Sequence, residues 1–191
     1  YDRIIENIPE DVKIVGMLGT VPTWANNYKK GDPGWTGTYP PKDVNDYANY
    51  VKTTVERYKW RIQEWEIWNE QNIPPFFHPE PDPNLYAQIL KAGYKAVKKA
   101  DPKAVVLIGG FSQNGVDDVP WFEGDQSGFL PALYKLGCGK YFDICAIHPY
   151  ADTAMDSINQ TKGTIAVMNK YGDKDKKIWW TEVGRASVDV S

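Results

Sequence analysis

The chain has 191 residues, 42% apolar and 25% charged, an ordinary balance for a globular protein. Lys and Arg number 22 against 25 Asp and Glu, a net charge of −3 with the basic residues scattered, which argues against a nucleic-acid binder working through a basic face. No apolar run approaches the ~18 residues that a membrane span needs, two cysteines cannot build a disulfide scaffold, and no Cys/His cluster has zinc spacing, so neither metal nor cofactor is expected.

The chain opens on Tyr1-Asp2-Arg3-Ile4, with no Met, no basic segment and no apolar signal core, and secreted and cytoplasmic locations both stay open. Ile4, Ile5 and Ile8 have helical spacing that Pro9 stops. A strand is expected from Val12 to Leu18, followed by a long loop that carries Pro22-Thr23-Trp24. Asp43 to Trp60 reads as a helix with Val44, Tyr47, Val51, Val55 and Tyr58 at spacings of three and four. A second strand, Glu64 to Asn69, runs into Glu70-Gln71-Asn72. Asn84 to Ala100 is the next helix, with Leu85, Ile89, Leu90, Tyr94 and Val97 on one face, ending against Asp101-Pro102. Ala104 to Gly109 is the third strand, leading into Phe111-Ser112-Gln113-Asn114, and a short helix from Phe129 to Leu136 closes on Gly137. A fourth strand, Phe142 to Ile147, delivers His148-Pro149-Tyr150. Ser157 to Tyr171 reads as a helix with Ile158, Ile165 and Met168 inward, and Lys177 to Val183 as a fifth strand containing Glu182. The chain stops at Ser191, and both ends read as cut.

Strict β-α alternation predicts a parallel sheet with right-handed crossovers. Neither Gly16-Met17-Leu18-Gly19 nor Gly109-Gly110 is GxGxxG, and no phosphate-binding GxxxxGK[ST] is present, which disfavours a nucleotide-binding doubly wound sheet. The strand starts, at 12, 64, 104, 142 and 177, give units somewhat longer than the ~31 residues of a (β/α)8 barrel of about 250. The expected architecture is therefore an incomplete TIM barrel, a single partial domain over residues 1–191 truncated at both ends. A five-strand sector leaves parallel edges and an apolar face open, so it is expected to need further strands, from the same polypeptide or from a partner copy.

The loops after the strands carry the polar and aromatic residues, while the connections entering strands are plain, as an active site at one barrel mouth requires. Glu70 and Glu182 each follow an apolar strand, where a buried carboxylate is costly unless it is paired or used. Two such groups in one pocket can take opposite roles, one the protonated acid and the other the ionised nucleophile. Aromatic residues make up 14% of the chain, flat faces that suit sugar rings and cores alike.

Trp68-Asn69-Glu70, His148-Pro149-Tyr150 and Trp180-Thr181-Glu182-Val183-Gly184 resemble the ends of strands four, six and seven of the clan A glycoside hydrolases, and Gly16 to Ala25 resembles strand three. The long aromatic loop after the first strand and Trp68-Asn69-Glu70-Gln71-Asn72 lean towards family 39 or related cellulase- and xylosidase-like families. The resemblance implies a retaining hydrolase of β-linked oligo- or polysaccharides, with Glu70 as acid/base and Glu182 as nucleophile about 5–5.5 Å apart. It further implies that Asn69 holds the sugar 2-hydroxyl, that Tyr150 hydrogen-bonds Glu182 and that His148 lies in the same polar shell. An aromatic residue and an arginine that the family supplies from other strands have no counterpart to carry over.

Plainer readings stay open for each residue: a first-turn or strand-end acid for Glu70 and Glu182, a turn residue for Asn69, a core histidine for His148 and a packing tyrosine for Tyr150. Trp24 and Trp121 either stack on sugar or lid the core. By alternation Trp68 and Trp180 should point into the barrel, and Trp65 and Trp179 towards the helices. Cys145 should face a helix as a small core residue, and neither it nor Cys138 has a basic neighbour to activate a thiol. Asn159-Gln160-Thr161 matches a glycosylation sequon by a pattern common by chance, and the Lys170 to Lys177 cluster reads as a solvated connection. Two rivals to the enzyme are a carbohydrate-binding pseudoenzyme on the same scaffold and a catalytically incompetent barrel fragment.

Overall fold

The computed structural model describes residues 1–112 and 128–184. Five strands, β1 (Val15–Leu18), β2 (Glu64–Ile67), β3 (Val105–Ser112), β4 (Ile144–His148) and β5 (Lys177–Trp180), form one parallel sheet in the order β1-β2-β3-β4-β5. α1 (Asp2–Glu6) precedes β1, and α2 (Val44–Tyr58), α3 (Pro83–Ala100), α4 (Phe129–Lys135) and α5 (Ala154–Lys170) occupy the crossovers. A doubly wound sheet reverses its strand order at a switch point. This sheet never reverses, so the fold is an incomplete (β/α)8 barrel wall.

The helices start where side chains can cap them. Asp43 accepts from the Asn45 amide at α2, Asp82 from Asn84 and Leu85 at α3 with Pro83 in the first turn, and Thr153 from Asp156 at α5. The core lies between sheet and helices. Leu18, Trp65, Ile67, Val106, Ile108, Cys145 and Ile147 pack outward on Tyr47, Val51 and Val55 of α2, Tyr86, Ile89, Leu90 and Val97 of α3, and Leu130 and Leu133 of α4. The other sheet face carries only a small apolar cluster of Leu107, Ile144 and Ala146, flanked by Val105 and Trp179. On that face the edge strand β1 exposes Val15 and Met17.

Four expectations are corrected. Trp68 packs outward against Tyr47 and Phe77, because its φ of 74° breaks the alternation after Ile67. On β5 the faces are exchanged. Trp179 joins the inner cluster, whereas Trp180 donates its indole N–H to Thr161 of α5. Extended geometry ends at Trp180, so counting back from Glu182 misassigns both. The buried stripe of α5 is Ser157, Thr164, Val167 and Met168, with Ile158 and Ile165 exposed. The connection before β5 is structural as well as solvated, since Asp173 accepts from Tyr134 at 2.9 Å and Lys176 reaches both Asp173 and the Gly139 carbonyl.

Strand β3 runs past Gly109 through a bulge between Ile108 and Phe111. Both glycines there are needed for close approach. A Cβ on Gly109 would lie 2.3 Å from Gln71 Oε1 and 2.6 Å from the Ile67 carbonyl oxygen, and one on Gly110 would lie 2.0 Å from His148 Nε2. Tyr86 of α3 bridges the same point, donating to the Ile67 carbonyl at 2.8 Å and accepting from the Gly109 amide at 3.0 Å. Gly110→Ala is therefore expected to lower stability by about 1–3 kcal/mol in urea denaturation. Gly37→Ala, whose methyl would meet nothing nearer than 3.5 Å, should stay within about 0.5 kcal/mol of the parent.

Candidate active site

The carboxyl ends of β2, β4 and β5 bring four of the six expected residues into one cluster. The chain after β2 turns sharply, with left-handed φ values of 74° at Trp68 and 44° at Glu70. Non-glycine residues hold such angles at about 1–3 kcal/mol each and only where the surroundings impose them. Here the Glu70 amide donates to the Gly110 carbonyl at 3.0 Å, and the Trp68 indole donates to the Phe76 carbonyl at 2.8 Å. Gln71 and Asn72 fasten the turn to β3. Gln71 donates to the Gly109 carbonyl, and Asn72 both donates to the Ser112 carbonyl and accepts from its amide. Glu70 is thereby aimed into the mouth by backbone contacts that its own side chain does not use.

His148 ends β4 and is 1% exposed. Its Nδ1 lies 3.0 Å from Glu70 Oε1 and 3.7 Å from Glu182 Oε2, and its Nε2 lies 3.1 Å from Thr181 Oγ1. Tyr150 donates to Glu182 Oε2 at 3.1 Å. Its hydroxyl is held above its ordinary pKa, first by that hydrogen bond, then by desolvation and by the charges of Glu182 and Glu70. Ser157 and Gln160 of α5 fix the turn that carries Tyr150, donating to the Pro149 and Tyr150 carbonyls. Ligand atoms of Glu70, His148 and Glu182 all lie within 4.8 Å of one another. In this arrangement both His148 ring nitrogens already face hydrogen-bond partners, Glu70 and Thr181.

Asn69 borders a cleft of about 230 Å³ with Met17, Trp35, Trp68 and Phe76, and its buried Oδ1 has no hydrogen-bond partner among the described residues. Trp24 is not brought to the carboxylates. It is 78% exposed and lines a neighbouring groove with Tyr50 and Asp46. The exposed tryptophan beside Asn69 is Trp35, which the glycines of its loop hide from any periodicity argument. Gln113, Asn114 and Trp121 lie outside the described residues. Both thiols are buried, with Cys145 pushed up to about 12 and Cys138 also raised by desolvation, so neither is poised as a nucleophile. The glycosylation sequon falls in the middle of α5, where Thr161 already bonds Ser157 and Trp180.

Glu66 is the residue that sequence reasoning missed. It stands on β2 with its side chain on the inner face, 4% exposed, accepting from the Gly110 amide at 2.6 Å and from Thr181 at 3.4 Å through the same oxygen. Burial pushes its carboxyl up to about 7, against the opposing pull of the Gly110 hydrogen bond, the His148 ring and the Thr181 hydroxyl. An acid in mid-strand between Trp65 and Ile67 was the available signal.

No protein-family model matches the chain, and no curated protein matches it. Solved structures do. A monomeric beta-xylosidase from Caulobacter crescentus superposes with a TM-score of 0.68 at 15% identity, over 91% of this chain and 38% of that one. A family 39 glycoside hydrolase from Bacteroides cellulosilyticus gives 0.64 at 23% identity, over 92% and 36%. A glucosidase from Croceicoccus marinus gives 0.62 at 20% identity, over 80% and 33%. The likeness establishes a fold shared with TIM-barrel glycosidases, and the chain spans between 33% and 38% of the length of these three structures. Among the described residues no helix is long and apolar enough to cross a membrane.

The buried Glu66 makes stability depend on pH. Unfolded, its carboxyl titrates near the ordinary ~4.3, and folded at about 7. The folded chain thus keeps a proton that the unfolded chain has lost. This contribution is complete below the unfolded value and disappears as pH rises through about 7. Urea denaturation should show about 3 kcal/mol of stability lost from this group between roughly pH 4 and 8, and Glu66→Gln should flatten that part of the profile.

Proposed function

We propose that residues 1–191 form a partial-barrel catalytic domain of a retaining glycoside hydrolase that acts on β-linked oligo- or polysaccharides. The observation that carries this reading is the pair of carboxylates, Glu70 and Glu182, with oxygens within 4.8 Å of each other beside His148. Retaining enzymes hold their carboxyl groups about 5–5.5 Å apart, whereas inverting enzymes leave about 6.5–9.5 Å for a water.

In this scheme Glu182 Oε attacks the anomeric carbon, and Glu70 gives its proton to the departing glycosidic oxygen. The bond to the leaving group breaks as the glycosyl ester on Glu182 forms. Glu70, now a carboxylate, takes a proton from water, whose oxygen displaces Glu182 and releases the sugar with its configuration retained. The Tyr150 hydroxyl, donating to Glu182 Oε2, favours the ionised nucleophile. Asn69 accepts from the sugar 2-hydroxyl, a role that fits its buried and unpartnered Oδ1, and such contacts strengthen towards the oxocarbenium-like transition state. Trp35 and Phe76 offer apolar surface beside it. Trp24 serves a more distant sugar unit, in the groove that shares Gly19 and Thr20 with the Asn69 cleft. No step is routed through a metal.

The beta-xylosidase among the structural neighbours makes xylo-configured sugars the first to test. Incubation with 2-deoxy-2-fluoro glycosides of xylose, glucose and mannose, followed by intact-mass spectrometry and peptide mapping, is expected to show one glycosyl adduct on Glu182. An adduct on another residue overturns the assignment. Sugar binding with no adduct and no turnover supports the pseudoenzyme instead. Glu70→Gln is expected to cut turnover of unactivated glycosides by about 100-fold or more while sparing dinitrophenyl glycosides, whose leaving group needs no proton. Equal loss on both classes would mean that Glu70 is not the acid.

A further inference from the structure

Under the two proposed carboxylates lies a hydrogen-bonded path that the reaction scheme does not use. Glu66 Oε1 accepts from the Gly110 amide at 2.6 Å, and Thr181 Oγ1 lies 3.4 Å from the same oxygen and 3.1 Å from His148 Nε2. His148 Nδ1 then faces Glu70 Oε1 at 3.0 Å. Every member from Glu66 to Glu70 is on a different strand or turn, so the path crosses the sheet rather than running along one element.

The path has a direction. Oε1 of Glu66 already accepts from a backbone amide, which has no other role open to it, so this oxygen also presents a lone pair to Thr181. Threonine has one hydroxyl proton. Given to Glu66, it leaves the Thr181 oxygen as an acceptor for Nε2–H of the imidazole. A neutral imidazole with Nε2 protonated carries its lone pair on Nδ1. That lone pair meets Glu70 at 3.0 Å, so in this neutral tautomer a hydrogen bond between the two is donated by the Glu70 carboxyl, whereas an imidazolium would donate from Nδ1 instead. The opposite tautomer would put a donor on Nδ1 and favour a Glu70 carboxylate.

We propose that Glu66, acting through Thr181, is a positioning residue that fixes His148 in the Nε2–H tautomer and so holds Glu70 as a protonated, correctly turned acid before substrate arrives. The catalytic consequence rests on the glycosidase reading; the tautomer does not. Glu66 touches no substrate in this scheme. Its acceptor oxygen, not its charge, does the positioning, since a protonated Glu66 carries its proton on Oε2 and still accepts at Oε1.

The test is 15N and 13C NMR of the full chain with labelled histidine. The chain has two histidines, and His78→Gln assigns the other. His148 is expected to show a protonated Nε2 and an unprotonated Nδ1. Thr181→Val and Glu66→Leu should move the pair of nitrogen shifts towards the Nδ1–H form or an exchange average, while Thr181→Ser and Glu66→Gln, which keep the hydroxyl and the acceptor, should restore the parent spectrum. If Glu66→Leu fails to fold, the Val and Ser variants at Thr181 decide. A protonated Nδ1 in the parent chain, or a folded Thr181→Val with unchanged shifts, overturns the proposal. In turnover, Thr181→Val should lose about tenfold or more on alkyl glycosides relative to dinitrophenyl glycosides, and equal loss on both counts against it. The two readings fail separately. No adduct on Glu182 with the expected tautomer removes the glycosidase and leaves the relay, and turnover with an unresponsive tautomer does the reverse.

Discussion

The two glycines of the β3 bulge are the constraint on which the site depends. Gly110 turns its carbonyl to the Glu70 amide and its own amide to Glu66, and its missing side chain is the space that His148 fills. Gly109 gives its amide to Tyr86 and its carbonyl to Gln71. Two adjacent peptide units therefore hold the turn after β2, a buried acid, the central histidine and the helix behind them. Any side chain at these positions would displace several groups at once, because bulge residues serve neighbouring strands on both sides.

The molecule is asymmetric along its strands. Where strands begin, polar groups serve each other: Lys98 bonds the Ala104 carbonyl and Asp143, and Asp143 accepts the Val106 amide. Where strands end, carboxylates converge, and left-handed φ values at Thr20, Trp68 and Glu70 store strain. Strain of this kind persists where the surrounding contacts impose it and concentrates at functional sites. The buried Asn69 oxygen, without a partner among the described residues, lies at this end as well, a cost of the sort that a ligand's hydrogen bond can relieve.

Much of the architecture is legible in the sequence because it follows from periodicity. Alternating strand and helix patterns mark all five strands and the α2 and α3 faces. Glu70 and Glu182 stand out because acidic groups that close apolar strands are costly to bury unless they are paired or used, whereas His148 and Tyr150 stand out through the resemblance of His148-Pro149-Tyr150 to a glycosidase strand end. What fails is the assumption that alternation continues through strand ends. It stops at Ile67 and at Trp180, so alternation assigns Trp68, Trp179 and Trp180 to the wrong faces. Glu66 is hidden for a related reason. It is flanked by Trp65 and Ile67 in a strand, and only the three-dimensional neighbours Gly110 and Thr181 explain why an acid is tolerated there. On α5 the buried positions include Ser157 and Thr164, whose hydroxyls are satisfied by the Pro149 and Gln160 carbonyls, so an apolar stripe alone does not mark the buried face.

The carboxylate pair spans strands of unequal support. Glu70 follows β2, which has neighbours on both sides, whereas Glu182 follows β5, which among the described residues is last in the strand order and pairs with β4 alone. Beyond the final register pair Ile147↔Trp180, Glu182 is held by the backbone bond from the Thr181 amide to the Ile147 carbonyl at 3.3 Å, by the Thr181 hydroxyl's contacts with His148 and Glu66, and by the Tyr150 hydroxyl. The gap between the two acids therefore depends on how firmly β5 is held against β4. Outward fraying of β5 would widen it, and a strand laid along the outer edge of β5 would narrow that excursion without touching either acid.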